Sequence, residues 1–233
     1  MDLKTFLKDP PKLHCDVSGN QISWGLEDGI LEFIYNRVNS KSITLETGAG
    51  LSTVVFAILQ TDHTCIVPSS KEIQKIKKYC YQNNISVKKI NFINSISEKF
   101  LPNISKDGFD LVLIDGRHAF PTPFIDWYYT APKLKISGFM IVDDTPLWTG
   151  RVLKNFLLSE PEWVLEADFA KSVVFKKIKD GVHDKEWYRQ PYVLRNSTME
   201  MRKEKIRYAM NLLLTGKFHI LLNKISNEIK LTK

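Results

Sequence analysis

The run Glu46-Thr47-Gly48-Ala49-Gly50-Leu51-Ser52-Thr53 constrains this chain more than any other stretch. A short β-branched segment, Ser42 to Leu45, leads into it, and an apolar, helix-like segment, Val54 to Leu59, leaves it. Together they read as strand, glycine turn and helix. Glycine lets the backbone turn with positive φ and lets a ligand come into van der Waals contact, while free amides at a helix start favour negative or polar groups. The acid that ends the strand narrows the ligand. Glu46 would repel a pyrophosphate but suits a group that carries an ammonium. Taken alone, the E-x-G-x-G pattern equally fits a tight turn that only packs a helix on a sheet.

Strand and helix signals alternate from about Leu26 to Lys176, which is the pattern of a doubly wound, mostly parallel α/β sheet. A helix begins at Glu27 or Asp28, with Ile30, Leu31, Ile34 and Val38 at helical spacing. Further strands are expected at Cys65 to Val67, Val87 to Ile93, Phe109 to Ile114 and Gly138 to Val142, with helices over Lys71 to Asn83, Thr122 to Leu134 and Val152 to Leu158. Trp163 to Ala167 and Ser172 to Lys176 then close the sheet, as its sixth and seventh strands, in an antiparallel pair. Residues 1–180 form one domain on this reading, and 181–233 a basic, mostly helical C-terminal extension that breaks at Gly216.

Charge follows the same division. The net charge is +7, yet from Met201 onward eight basic residues face only Glu204 and Glu228, so the tail holds +6 and the first 200 residues +1. A nearly neutral catalytic domain argues against a nucleic-acid substrate. In the tail, Phe218, Leu221, Leu222, Ile225 and Ile229 make an apolar helical face suited to its own domain, a second copy of the chain, another protein or a membrane surface. Cys15, Cys65 and Cys80 are odd in number and widely spaced, which gives no disulfide framework and fits the cytoplasm. A signal-peptide core and an apolar run of about 18 residues are both lacking.

Ligands of open parallel sheets bind beyond the carboxyl ends of the strands. Glu46, Asp115, Asp143 and Asp144 all fall at such ends. Taken singly, Asp115 or Asp144 could equally cap a helix. As a set they would repel one another, so they call for cations: an ammonium, a sulfonium or a hard divalent metal.

The ordered motifs T-L-E-T-G-A-G-L-S-T, F-D-L-V-L-I-D-G-R-H and L-K-I-S-G-F-M-I-V-D-D resemble those of class I S-adenosylmethionine-dependent methyltransferases. Among these, the catechol O-methyltransferase-like enzymes and the macrolide-sugar O-methyltransferases are most similar. The likeness covers about Trp24 to Lys176 and implies a seven-stranded Rossmann-like sheet. It implies that Glu46, Gly48 and Gly50 hold the methionine end of the cofactor with Ser52 nearby, and that Ser95 meets the adenine. Ser69 would stand where this fold places an acid on the ribose hydroxyls, and a serine cannot accept twice with full charge. In metal-dependent members a magnesium-like ion would sit on Asp115, Asp143 and Asp144 and lower the pKa of a substrate hydroxyl.

The resemblance also implies that His118, three residues after Asp115, takes the hydroxyl proton. A surface histidine is the plain alternative. Arg117 would neutralise the cofactor carboxylate or an acidic substrate. Trp24, Phe120, Trp127, Tyr128 and Trp148 could line an aromatic acceptor pocket, with Trp148 favoured because it follows the acid pair. The expected function is methyl transfer to a hydroxyl of a small molecule. A metal-independent methyltransferase that relies on His118, or a non-catalytic scaffold of this fold docked through its tail, are the alternatives.

Overall fold

The computed structural model describes residues 1–15, 18, 21–22, 25–181, 185–217 and 219–220. They divide into two compact units, Met1–Asp184 and Lys185–Lys233. The first contains α1 (Leu3–Lys8), β1 (His14–Cys15), β2 (Gln21–Ile22), α2 (Asp28–Arg37), β3 (Ile43–Thr47), α3 (Leu51–Leu59), β4 (Asp62–Ile66) and α4 (Ser70–Gln82). It continues with β5 (Ile90–Ile93), α5 (Ser97–Phe100), β6 (Phe109–Ile114), α6 (Thr122–Thr130), β7 (Leu134–Val142), α7 (Trp148–Ser159), β8 (Trp163–Asp168) and β9 (Val173–Lys177). The second contains α8 (Pro191–Leu214), and Gly216, just past its end, has a φ of +69°. Phe218 and Leu221 to Ile229, the expected apolar face of the tail, lie outside the described residues.

Seven strands form one sheet in the order β5-β4-β3-β6-β7-β9-β8. The first five run parallel, and β9 is antiparallel to both β7 and β8. This is the expected doubly wound sheet with its closing antiparallel pair. The order reverses between β3 and β6, which puts a crevice over the carboxyl ends of those two strands.

Composition explains the layering. β6 is apolar apart from Asp110 because helices cover both faces of a central parallel strand, and Leu111 to Ile114 are buried. On one face Ile30, Leu31 and Ile34 of α2 and Val54 to Ala57 of α3 pack into a common core with Leu111, Leu113 and Ile141. Burying a side chain of this size contributes about 1.5–3 kcal/mol, so the α2 and α3 stripes fix the sheet against its helices.

The structure adds elements without a strong periodic signal. Helix α1 is one short amphipathic turn that starts where Asp2 caps the Thr5 amide at 2.7 Å and buries Leu3 and Phe6. Helix α6 stops at Thr130 rather than Leu134. Pro132 has no amide to donate, so the chain tightens to a 3-10 turn at Ala131–Lys133. The buried Lys177 ammonium then holds that turn, donating to the carbonyls of Ala131 at 3.0 Å and Leu134 at 2.8 Å and pairing with Asp180 at 2.6 Å. β7 consequently begins at Leu134, ahead of the expected Gly138.

Gly48 joins the two halves of the sheet. Its φ is +92°, and a Cβ there would lie 2.1 Å from the Asp115 carbonyl oxygen. Gly48→Ala should cost about 2–4 kcal/mol through forced backbone displacement and a left-handed non-glycine residue. Urea unfolding followed by circular dichroism measures it, and an unchanged midpoint would mean that the turn is free to move.

Candidate active site

A cavity of about 820 Å³ opens over the switch between β3 and β6, within the usual range of about 300–1,000 Å³ for a small-molecule site. Its walls are the glycine turn from Thr47 to Ser52, Pro68 and Glu72, Ile96 to Glu98, Asp115 to His118, Asp143, Asp144 and Lys171, with Gly25 and Leu26 beside them. The sequence-predicted Gly48, Gly50, Ser52, Asp115, Arg117, His118, Asp143 and Asp144 are therefore brought to one place.

Glu46 is placed differently. It is 1% exposed and does not line the cavity. Its carboxylate accepts from the Ser52 hydroxyl at 2.6 Å and from the Thr53 hydroxyl, and His63 Nε2 lies 3.1 Å away, off the line of a good hydrogen bond. His63 Nδ1 meets Thr44 Oγ1 at 2.8 Å, and the Gly50 amide donates to Thr53 Oγ1 at 3.0 Å. An uncompensated buried carboxylate is costly, so these partners tie it to the first turn of α3. Glu46 thus shapes the glycine turn from beneath. Among the described residues, Glu46, His63 and Cys65 are the one set of three possible metal ligands whose donor atoms all lie within 4.8 Å of one another. Burial, then the charge of Glu46, holds the Cys65 thiol well above its ordinary range, and it stays a protonated packing group in this closed cluster.

Ser69 and Ser95 also fall outside the lining. The Ser69 hydroxyl accepts from the Glu72 amide at 3.2 Å and so caps α4, while Ser95 Oγ donates to the Ile96 carbonyl at 3.1 Å. Capping by Ser69 brings the carboxylate of Glu72 to the cavity wall. The S-x-x-E pattern of Ser69 to Glu72 is a helix-start signature that could have pointed to this acid. Glu98 and Lys171 are lining residues that sequence reasoning did not select. Glu98 accepts from the Thr122 hydroxyl at 3.0 Å. Burial pushes its pKa up, but its own backbone amide, the Thr122 and Ser97 hydroxyls and Arg117 outweigh that and leave it lowered.

On the other side of the crevice the acids meet. Asp115, at the end of β6, keeps 28% of its side-chain surface open. Its pKa is nevertheless held well above the ordinary range, first by burial, then by the charge of Asp143 and a hydrogen bond with it, then by Glu46 and Asp144. The Asp143 carboxylate accepts from the Ser172 hydroxyl. Asp144 has a φ of +50° and places Oδ2 3.1 Å from His118 Nε2, which is 4.0 Å from Asp115. His118 is thus a partner of the acid pair rather than a detached surface residue.

Oxygen donors at two strand ends, with mutual repulsion that raises the Asp115 pKa, fit a hard divalent cation. Asp115 and Asp143 already adjoin. Asp144 is drawn to His118 instead, and the three acids do not form a set within 4.8 Å.

The aromatic candidates separate by burial. Trp127 is core, edge-on to Phe156 with ring centroids 5.0 Å apart. Tyr128 is exposed and stacks edge-on with Tyr129, and Trp24 lies outside the described residues. Phe120 and Trp148, 66% and 60% exposed, face each other with centroids 6.1 Å apart. Neither lines the cavity, although they follow His118 and Asp144 closely in sequence.

No curated protein matches this chain in sequence. Residues 45–145 match a family described as a methyltransferase domain. A protein from Staphylococcus aureus described as a caffeoyl-CoA O-methyltransferase superposes with a TM-score of 0.58 at 16% identity, over 76% of this chain and 92% of that one. An rRNA methylase from Clostridium thermocellum gives 0.54 at 16% identity, over 66% and 96%. A methyltransferase from Streptococcus mutans, solved with S-adenosylhomocysteine (SAH), gives 0.50 at 14% identity, over 65% and 97%. At these identities the likeness concerns the fold. The family match over residues 45–145 thus falls within a sheet that has the fold of these solved methyltransferase structures.

Proposed function

We propose that this protein transfers a methyl group from S-adenosylmethionine to a hydroxyl of a small molecule, with His118 as the general base. The His118–Asp144 contact at the edge of a cavity built by the glycine turn is the observation that carries this reading. The glycine turn from Gly48 to Ser52, at the start of α3, and Glu72 on the facing wall suit the amino-acid and nucleoside parts of the cofactor. Glu72 takes the place first assigned to Ser69, and a carboxylate accepts both hydroxyls of a ribose diol with charge-assisted strength.

The chemistry is an in-line displacement. The acceptor oxygen forms a bond to the methyl carbon, the carbon–sulfur bond breaks, and the sulfonium leaves as a neutral thioether. The hydroxyl proton passes to His118 Nε2, where Asp144 stabilises the resulting imidazolium. The cavity contributes by holding the reacting atoms in line and excluding water. A magnesium-like ion, where one binds, would be held by Asp115 and Asp143 with Asp144 and would acidify the acceptor hydroxyl. Arg117 on the cavity wall offers the acceptor a cation, and the exposed Phe120–Trp148 pair would offer its body an apolar surface outside that wall. With only +1 on its first 200 residues, the catalytic domain has little net positive charge to hold a nucleic-acid acceptor. The basic tail would serve docking, to a second copy or to an anionic surface, rather than catalysis.

Two measurements test this. His118→Asn should lower kcat for methyl transfer to a panel of hydroxylated small molecules by about 10²–10³-fold. Its calorimetric Kd for SAH should stay within about threefold of the wild-type value, and undiminished turnover would remove His118 from the chemistry. Glu72→Gln should weaken SAH binding about tenfold, since a charged hydrogen bond contributes about 1.5–3 kcal/mol. If the unaltered protein binds neither SAH nor S-adenosylmethionine, the proposed function fails. If turnover survives both EDTA and Asp143→Ala, the ion has no part in it.

A further inference from the structure

The apolar side chains of α8 fall on two separate lines along the helix. Leu194, Met201, Tyr208 and Leu212 make one, and Leu212 is the only buried residue of α8. Met199, Ile206, Met210 and Leu213 make the other. All four are exposed, Ile206 and Met210 by 61% and 57%. With Asn196 and Lys203 added, the second line steps by alternate threes and fours from Asn196 to Leu213. That is the 3.5-residue period by which two helices keep one seam in contact. A helix owes most of its stability to a face packed on something, and these four side chains stand open.

We propose that α8 pairs antiparallel, along this seam, with the α8 of a second copy of the chain. The seam is narrow. Arg202 and Lys205 separate the two apolar lines on one side, and Glu200, Glu204 and Arg207 separate them on the other. Neither line is therefore the broad apolar face by which a helix lies in a lipid surface, whereas a partner helix needs only the narrow one.

Charge fixes the partner and its direction. Glu200 and Arg207 flank the seam on the same side, one heptad apart. Antiparallel pairing sets Met199 on the partner's Met210 and Lys203 on the partner's Ile206, and it brings Glu200 of each copy to Arg207 of the other. Arg202 then faces the partner's Ala209, so no like charges meet. The Lys203 stem covers Ile206 while its ammonium reaches water. Parallel pairing would instead set Lys203 on its own copy within the seam and Arg202 against Arg207. Within one helix Glu200 pairs with Lys203 and Arg207 with Glu204, each at 2.7 Å and exposed. Such surface pairs exchange at little cost.

Sedimentation equilibrium of the full chain should give the mass of two chains, and Ile206→Asp should return it to one. Glu200→Arg and Arg207→Glu should each weaken association about tenfold, because each sets like charges together twice. An equimolar mixture of those two variants should restore it, since every Arg then meets a Glu. Because the altered side chains are exposed, the fold does not depend on them. Association strengthened by Arg207→Glu would mean parallel pairing and overturns the inference. A single-chain mass at every concentration, association that Ile206→Asp leaves unchanged, or a single chain that sediments with phosphatidylserine vesicles overturns it too.

Discussion

A carboxylate sealed from water at the end of β3 is the constraint on which the rest of the site depends. Glu46 cannot be solvated, so hydrogen-bond donors must come to it, and those donors are Ser52 and Thr53 in the first turn of α3 with His63 of β4 beside them. The glycine turn is therefore closed from below by charge before any ligand arrives. His63 adds packing to the same purpose, stacking on Phe56 of α3 with ring centroids 4.1 Å apart. Replacing the partners of such a group leaves a buried charge uncompensated, which costs far more than the contacts themselves are worth.

That arrangement explains what the sequence showed and what it hid. Period and length were enough for α2, α3, α4, β6 and the closing β8–β9 pair, because each buries a regular apolar face on its neighbours. The short α1 and α5 have no such period, and α6 was overdrawn because Pro132 ends the helix within a stretch that stays apolar in pattern. For the site, residue type and strand-end position located Asp115, Asp143 and Asp144, since topology alone brings strand ends together, and the family resemblance added His118. Glu46 and Ser69 were assigned to ligand because their positions suggested it. Position along a chain does not say which way a side chain points. Glu46 faces the α3 hydroxyls and Ser69 faces its own helix amide, which moves Glu72 to the wall instead.

The two rims of the cavity rest on different halves of the sheet. One rim is built by the segments that follow β3, β4 and β5, with the glycine turn, Glu72 and Glu98. The acid side is built by β6 and β7, and the antiparallel strand β9 braces it. Ser172 donates to Asp143, and the Lys171 carbonyl accepts from both the amide and the hydroxyl of Thr145, at 2.8 and 2.9 Å. Gly150 of α7 completes the brace, because a Cβ there would lie 2.6 Å from the Asp144 carbonyl oxygen.

Carboxylates are satisfied in opposite ways on these rims. At Glu46 hydroxyl donors surround one buried carboxylate. At Asp115 and Asp143 two acids face each other, and burial with that repulsion holds the Asp115 carboxyl well above its ordinary range. The first arrangement is complete in itself. The second would be relieved by a cation. His118 stands between the two conditions, 3.1 Å from Asp144 and 4.0 Å from Asp115. Drawing Asp144 toward a cation would loosen its hold on His118. His118 and the acid cluster are therefore linked through the Asp144 carboxylate.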